Sequence, residues 1–126
     1  MKRILLADDD ANICSMYQLV INNCGLDVEC DIAHNMMAVL ELLTDANKEY
    51  DAMILDYHLA DTNGVELMNT IKKAIYTGRA LPIAILTADA TAKTNSIASN
   101  AEAFIVKGSL DNTAKEIVTF LTNAFK

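Results

Sequence analysis

Residues 4–10 read Ile4-Leu5-Leu6-Ala7-Asp8-Asp9-Asp10, four apolar residues in a row and then three carboxylates. A short continuous apolar run fits a strand buried on both faces, because a strand covered on one side alternates instead. The period then changes. Ile13, Met16, Tyr17, Val20, Ile21 and Cys24 recur at spacings of three and four, one face of a helix, and Gly25 is placed to end it. A strand, an acidic turn and an amphipathic helix form a unit, and its repetition decides the fold.

The unit recurs along the chain. Leu26 to Ala33 alternates Leu26, Val28, Cys30 and Ile32 with Asp27, Glu29 and Asp31, predicting a half-buried strand near a sheet edge. A helix follows at about Asn35 to Ala46, with Val39, Leu40 and Leu43 inward. Ala52 to Leu55 is a third strand, and Gly64 to Ile75 carries Leu67, Met68, Ile71 and Ile75 at helical spacing. Leu81 to Leu86 makes a fourth strand, with Pro82 tolerable near its start. A polar helix is expected over about Thr91 to Asn100, and a fifth strand over Ala103 to Val106. Leu110 to Phe125 closes the chain with Ala114, Ile117, Val118, Leu121 and Phe125 as its apolar stripe. Five strands alternating with five helices give an α/β fold, a parallel sheet covered on both faces. Right-handed crossovers close such a chain as a doubly wound sandwich.

Composition agrees. A length of 126 residues suits one domain, 1–126, and a chain this long buries about two-thirds of its unfolded surface. With 52% apolar residues, disorder and low-complexity classes are excluded. Ten Lys and Arg against seventeen Asp and Glu leave a net charge of -7, which argues against direct nucleic acid binding and against an anionic membrane surface. Cys14, Cys24 and Cys30 have neither zinc-site nor CxxC spacing, so reduced thiols in a cytoplasmic protein are expected. The basic start is followed by too short an apolar stretch for a signal peptide, and the run Ala80 to Leu86 is too short to cross a bilayer.

In doubly wound sheets, ligands sit outside the carboxyl ends of the strands. Asp8, Asp9 and Asp10 follow the first strand, Asp56 the third, Thr87 the fourth and Lys107 the fifth. Clustered carboxylates repel unless a cation is bound, and a small set of oxygen ligands selects a hard, partly hydrated ion, Mg2+. Thr87 and Lys107 complement that cluster as partners of a phosphoryl group, one by hydrogen bonding and the other by charge.

The chain resembles the receiver domain of two-component response regulators, including the single-domain chemotaxis type. The resemblance runs through Ile4 to Asp10, Tyr50-Asp51-Ala52-Met53-Ile54-Leu55-Asp56, Asp61-Thr62-Asn63-Gly64, Pro82-Ile83-Ala84-Ile85-Leu86-Thr87-Ala88 and Phe104-Ile105-Val106-Lys107. It implies a flavodoxin-like sheet of strand order 2-1-3-4-5. It implies a phosphorylation switch rather than an enzyme with a separate substrate, catalysing only its own phosphorylation and dephosphorylation. Asp56 is implied as phosphoacceptor, and Asp8, Asp9, Asp56 and the His58 carbonyl as Mg2+ ligands. Thr87 and Lys107 are implied to contact the phosphoryl group, and Thr87 and Phe104 to form the switch pair. His58 and Asp89 stand at the positions that tune phosphoryl lifetime, and Asp10 is expected to cap the first helix. The implied partners are a sensor histidine kinase or a histidine phosphotransfer protein, with a downstream protein or effector domain and a monomeric or weakly dimeric state.

Two positions depart from the pattern. Gly108 replaces the proline that often follows the lysine, so the loop turns differently or glycine's freedom absorbs the strain. Ala60 replaces a proline in the loop after Asp56. Competing motifs fail at defined residues. An aspartate-nucleophile phosphatase of the haloacid dehalogenase type needs Thr or Val where Asn12 stands, and a calcium loop needs glycine where Ile13 stands and glutamate where Leu19 stands. A receiver-like module that only docks partners would have no need of the full set of site residues kept here.

Overall fold

The computed structural model describes residues 1–59, 62–75, 81–88 and 101–126. They form β1 (Lys2–Ala7), α1 (Ala11–Asn22), β2 (Val28–Ala33), α2 (Met36–Leu43), β3 (Ala52–Asp56), β4 (His58–Leu59), β5 (Thr62–Asn63), α3 (Gly64–Thr70), β6 (Ile83–Thr87), β7 (Ala103–Val106) and α4 (Leu110–Ala124). A π-helical stretch, Ile71–Ile75, continues α3. The long strands make one parallel sheet in the order β2-β1-β3-β6-β7, the expected order, with β6 and β7 as its fourth and fifth strands. The helix expected over Thr91 to Asn100 lies outside the described residues, as do Asp89 and Ala60.

Alternation along the buried strands feeds two cores. Leu5, Met53, Leu55, Ile83 and Ile85 face Val39, Leu43, Leu67, Met68 and Ile71 of α2, α3 and the π stretch. Ile4, Leu6, Ile54, Ala84 and Leu86 face Cys14, Tyr17 and Ile21 of α1 and Ile117, Phe120 and Leu121 of α4. Each fully buried Leu or Ile is worth about 1.5–3 kcal/mol, so these two layers hold the strand ends in place. At the edge, β2 buries Cys30 and half-buries Val28 and Ile32 on the second core. Its opposite face carries Asp31, bound by Arg3 Nη1 at 3.0 Å, Tyr50 Oη at 2.6 Å and Lys48 Nζ at 3.5 Å.

Several boundaries differ from the sequence reading for local reasons. Strand β2 starts at Val28 because the Val28 N–H bonds the Leu26 carbonyl in a tight turn. Asn35 lies outside α2 as its cap, its side chain accepting the Ala38 N–H at 2.8 Å, and the helix ends at Leu43 before a turn in which Asp45 accepts the Asn47 N–H. Strand β6 begins after Pro82, which offers only its carbonyl, to Met53 N–H at 2.9 Å. The helix expected through Ile75 is α-helical only to Thr70. The His58–Leu59 and Thr62–Asn63 hairpin was not expected.

The helix faces also turn. On α1 the buried residues are Cys14, Tyr17 and Ile21, whereas Met16 is 44% exposed. On α4 they are Thr113, Ile117, Phe120 and Leu121, with Ala114 and Val118 only half-buried. Thr113 faces inward because its hydroxyl accepts the Gly108 N–H at 3.1 Å. Gly25 takes φ +87°, so the turn after α1 does require glycine. Gly108 does not: its φ is negative and no peptide among the described residues is cis, so the loop after Lys107 turns by an ordinary trans path.

Candidate functional site

The parallel ladder delivers each residue of the rim. Asp8 is the first residue past β1, and its N–H continues the ladder to the Ala33 carbonyl at 3.1 Å. Asp56 ends β3 beside Leu86, and the Tyr57 N–H bonds the Leu86 carbonyl at 2.8 Å. Thr87 ends β6 beside Val106, and the Lys107 N–H bonds the Thr87 carbonyl at 2.6 Å. Side-chain direction at the rim is therefore fixed by the pleat of buried strands.

Asp8, Asp9 and Asp56 come together there, with one carboxylate oxygen of each within 4.8 Å of the others. Asp8 and Asp56 are buried and Asp9 is exposed. The Lys107 ammonium lies 3.1 Å from Asp8 Oδ2 and 3.4 Å from Asp56 Oδ2. Asp8 Oδ1 accepts the Asp10 N–H at 2.9 Å, and Asp56 Oδ1 lies 3.4 Å from the His58 N–H. Three carboxylates against one ammonium leave about -2 at full ionisation. All donors in the cluster are oxygens, a set that fits a hard divalent cation such as Mg2+.

The electrostatics carry the mark of that crowding. Burial, reinforced by the Asp8 charge, pushes the Asp56 carboxyl up to about 6 despite Lys107. Burial alone would lower Lys107, but Asp56 and Asp8 outweigh it and hold the ammonium above its ordinary value. Burial pushes the Cys14 thiol up to about 11, so it remains a thiol at neutral pH.

The other expected residues are placed as follows. Asp10 caps α1, accepting the Asn12 and Ile13 N–H groups at 2.9 and 3.2 Å. Thr87 is fully buried. Phe104 is half-buried against the first core and lines a cleft of about 500 Å3 with Glu102, Lys115 and Phe120. By strand alternation Phe104 shares the sheet face of Ile85 and Thr87 on the neighbouring strand. The His58 side chain is exposed and packs edge-on to Tyr57, with ring centroids 4.8 Å apart.

The sequence reading passed over His34. This first residue after β2 places Nδ1 3.0 Å from the Asp8 carbonyl, and Cys14 Sγ lies 3.3 Å from the same oxygen. Applying the strand-end rule to β2 as well as to its neighbours would have found it.

Comparison with known proteins agrees with this architecture. The sequence profile of the response regulator receiver domain matches residues 4–119, and the chain belongs to that family. It is 30% identical over 90 residues to the sensory/regulatory protein RpfC of Xanthomonas campestris pv. campestris, covering 71% of this chain and 12% of that protein. It is 31% identical over 88 residues to the transcriptional regulatory protein CpxR homolog of Haemophilus influenzae, covering 70% and 35%. The chain thus spans only a part of either relative. The crystal structure of response regulator TrrA from Thermotoga maritima, in complex with Mg2+-BeF, aligns with TM-score 0.77 and 30% identity over 96% of this chain and 99% of that one. As a receiver domain, the chain is a phosphorylation-dependent switch module of two-component signalling. Among the described residues no helix is long and apolar enough to cross a membrane.

Proposed function

We propose that Asp56 accepts a phosphoryl group from a phosphohistidine on a sensor histidine kinase or a histidine phosphotransfer protein, and that residues 1–126 act as one receiver domain. The carrying observation is the Asp56 carboxylate at the end of β3, 3.4 Å from Lys107 and clustered with Asp8 and Asp9. An Asp56 oxygen attacks phosphorus in line. The O–P bond forms as the P–N bond breaks, and the departing imidazole nitrogen keeps the electron pair and takes up a proton from solvent. Little else is required of the protein than alignment and charge neutralisation.

Asp8, Asp9, Asp56 and the His58 carbonyl would hold Mg2+, which supplies compensating charge for the phosphoryl oxygens. Lys107 pairs with those oxygens once they displace it from the carboxylates, and Thr87 donates its hydroxyl. Movement of Thr87 toward the phosphoryl group frees space on the sheet face it shares with Phe104, and that ring turns inward. Lacking a hydroxyl, Phe104 signals by position and not by a hydrogen bond. His58 and Asp89 set the phosphoryl lifetime. The net charge of -7 fits a cytoplasmic partner of proteins rather than of nucleic acid, acting as a monomer or weak dimer.

Beryllofluoride, a mimic of the acyl phosphate, tests the reading. With Mg2+ it should raise the melting temperature of wild type and leave Asp56→Asn unchanged. No Mg2+-dependent response in wild type would instead describe a module that only docks partners.

A further inference from the structure

Every polar atom of Asp8 has a partner. Its N–H bonds the Ala33 carbonyl, Oδ1 the Asp10 N–H and Oδ2 the Lys107 ammonium. Its carbonyl oxygen receives two groups from different elements, His34 Nδ1 at 3.0 Å from the end of β2 and Cys14 Sγ at 3.3 Å from the first turns of α1. A carbonyl oxygen only accepts, so the ring proton is assigned to Nδ1. The two contacts use the two lone pairs of one oxygen, and Cys14 Sγ and His34 Nδ1 lie 3.9 Å apart around it.

That carbonyl belongs to the peptide joining Asp8 to Asp9. Its orientation fixes where the Asp9 N and Cα atoms lie, because the peptide is a rigid plane, and so sets the point from which the Asp9 side chain leaves the backbone. Asp9 is exposed, and among the described residues no hydrogen bond to its carboxylate holds it. The Asp9 carboxylate can therefore be aimed at the cluster only through the backbone. Here the backbone is fastened by a histidine that is itself exposed and so has little part in the core.

We infer that His34, with Cys14, is a positioning residue for the metal site: by holding the Asp8–Asp9 peptide plane it keeps both carboxylates converged on one cation. The inference rests on the proposed Mg2+ role of Asp8 and Asp9. Outer partners that orient metal ligands commonly change affinity about 10–100-fold when removed. Asn at position 34 can put an amide N–H where the histidine has Nδ1–H, whereas Leu keeps bulk without a donor.

The test is calorimetric titration of Mg2+ into wild type, His34→Leu and His34→Asn, with the melting temperature of each taken in EDTA. His34→Leu should weaken Mg2+ about 10-fold and His34→Asn should stay within about threefold of wild type, while the two variants melt alike in EDTA. Wild-type affinity in His34→Leu, or equal weakening in both variants, would overturn the positioning role alone. A wild type that binds no Mg2+ would remove the metal reading, and this inference with it.

Discussion

The Lys107 ammonium bridges Asp8 and Asp56, 3.1 Å from Oδ2 of one and 3.4 Å from Oδ2 of the other. Two buried carboxylates thus share one cation, and the balance of the site depends on it. Lys107→Met leaves Asp8 and Asp56 facing each other without that charge. Losing a partner from buried charged groups costs about 1–3 kcal/mol, toward the low end here because the ammonium is partly solvated. Urea unfolding in EDTA should show the loss, and added Mg2+ should restore part of it.

The raised Asp56 carboxyl makes the metal-free protein pH-dependent in a defined direction. Its folded value of about 6 stands above the ordinary carboxylate value. Between the two the native state holds a proton that the unfolded chain has released, so stability is greatest below that window and falls as pH rises through about 6. In EDTA the melting temperature of wild type should therefore drop between pH 5 and pH 7 more than that of Asp56→Asn. Mg2+ competes with the same proton, so its affinity should rise over the same range, and less steeply in Asp56→Asn.

At the sheet edge the sign reverses. Burial alone would raise Asp31, but the Tyr50 hydroxyl, Arg3 and Lys48 outweigh it and hold it below the ordinary carboxylate value. That contribution is complete above the unfolded value and is lost as pH falls through the depressed folded one. Tyr50→Phe removes the 2.6 Å bond and should cost about 1.5–3 kcal/mol at neutral pH, with a shallower loss of stability in acid. Equal acid slopes for variant and wild type would contradict this role for Tyr50.

Gly25 and Gly108 should respond oppositely to alanine. Gly25 sits at φ +87°, where a Cβ is strained, and Gly25→Ala should destabilise by about 1–2 kcal/mol. Gly108 has a negative φ and open space around a Cβ, so Gly108→Ala should stabilise by about 0.4–1 kcal/mol through the unfolded chain. Thermal melts of the pair give the two signs directly.

Strands and rim were legible because a two-sided parallel strand writes its burial into consecutive residues and hands the next residue to the rim. Ile4 to Asp8 and Ala52 to Asp56 show this plainly. What escaped depended on contacts that hydrophobic periodicity does not record. Thr113 reads as polar and therefore outward until the Gly108 N–H is found to satisfy it. Met16 fits the helical stripe of α1 by spacing, yet the turn of that helix leaves it exposed. The β4–β5 hairpin is too short to have a period, and a histidine bound to a backbone carbonyl leaves no motif, so only the position of His34 directly after β2 marks it.

The central claim concerns one oxygen-to-phosphorus bond. Incubation with a small phosphodonor and Mg2+, followed by intact-mass measurement and peptide mapping, tests it most directly. Wild type should gain a single phosphoryl group on the peptide containing Asp56, and Asp56→Asn should gain none. Undiminished labelling of Asp56→Asn, or mapping to another residue, would contradict it.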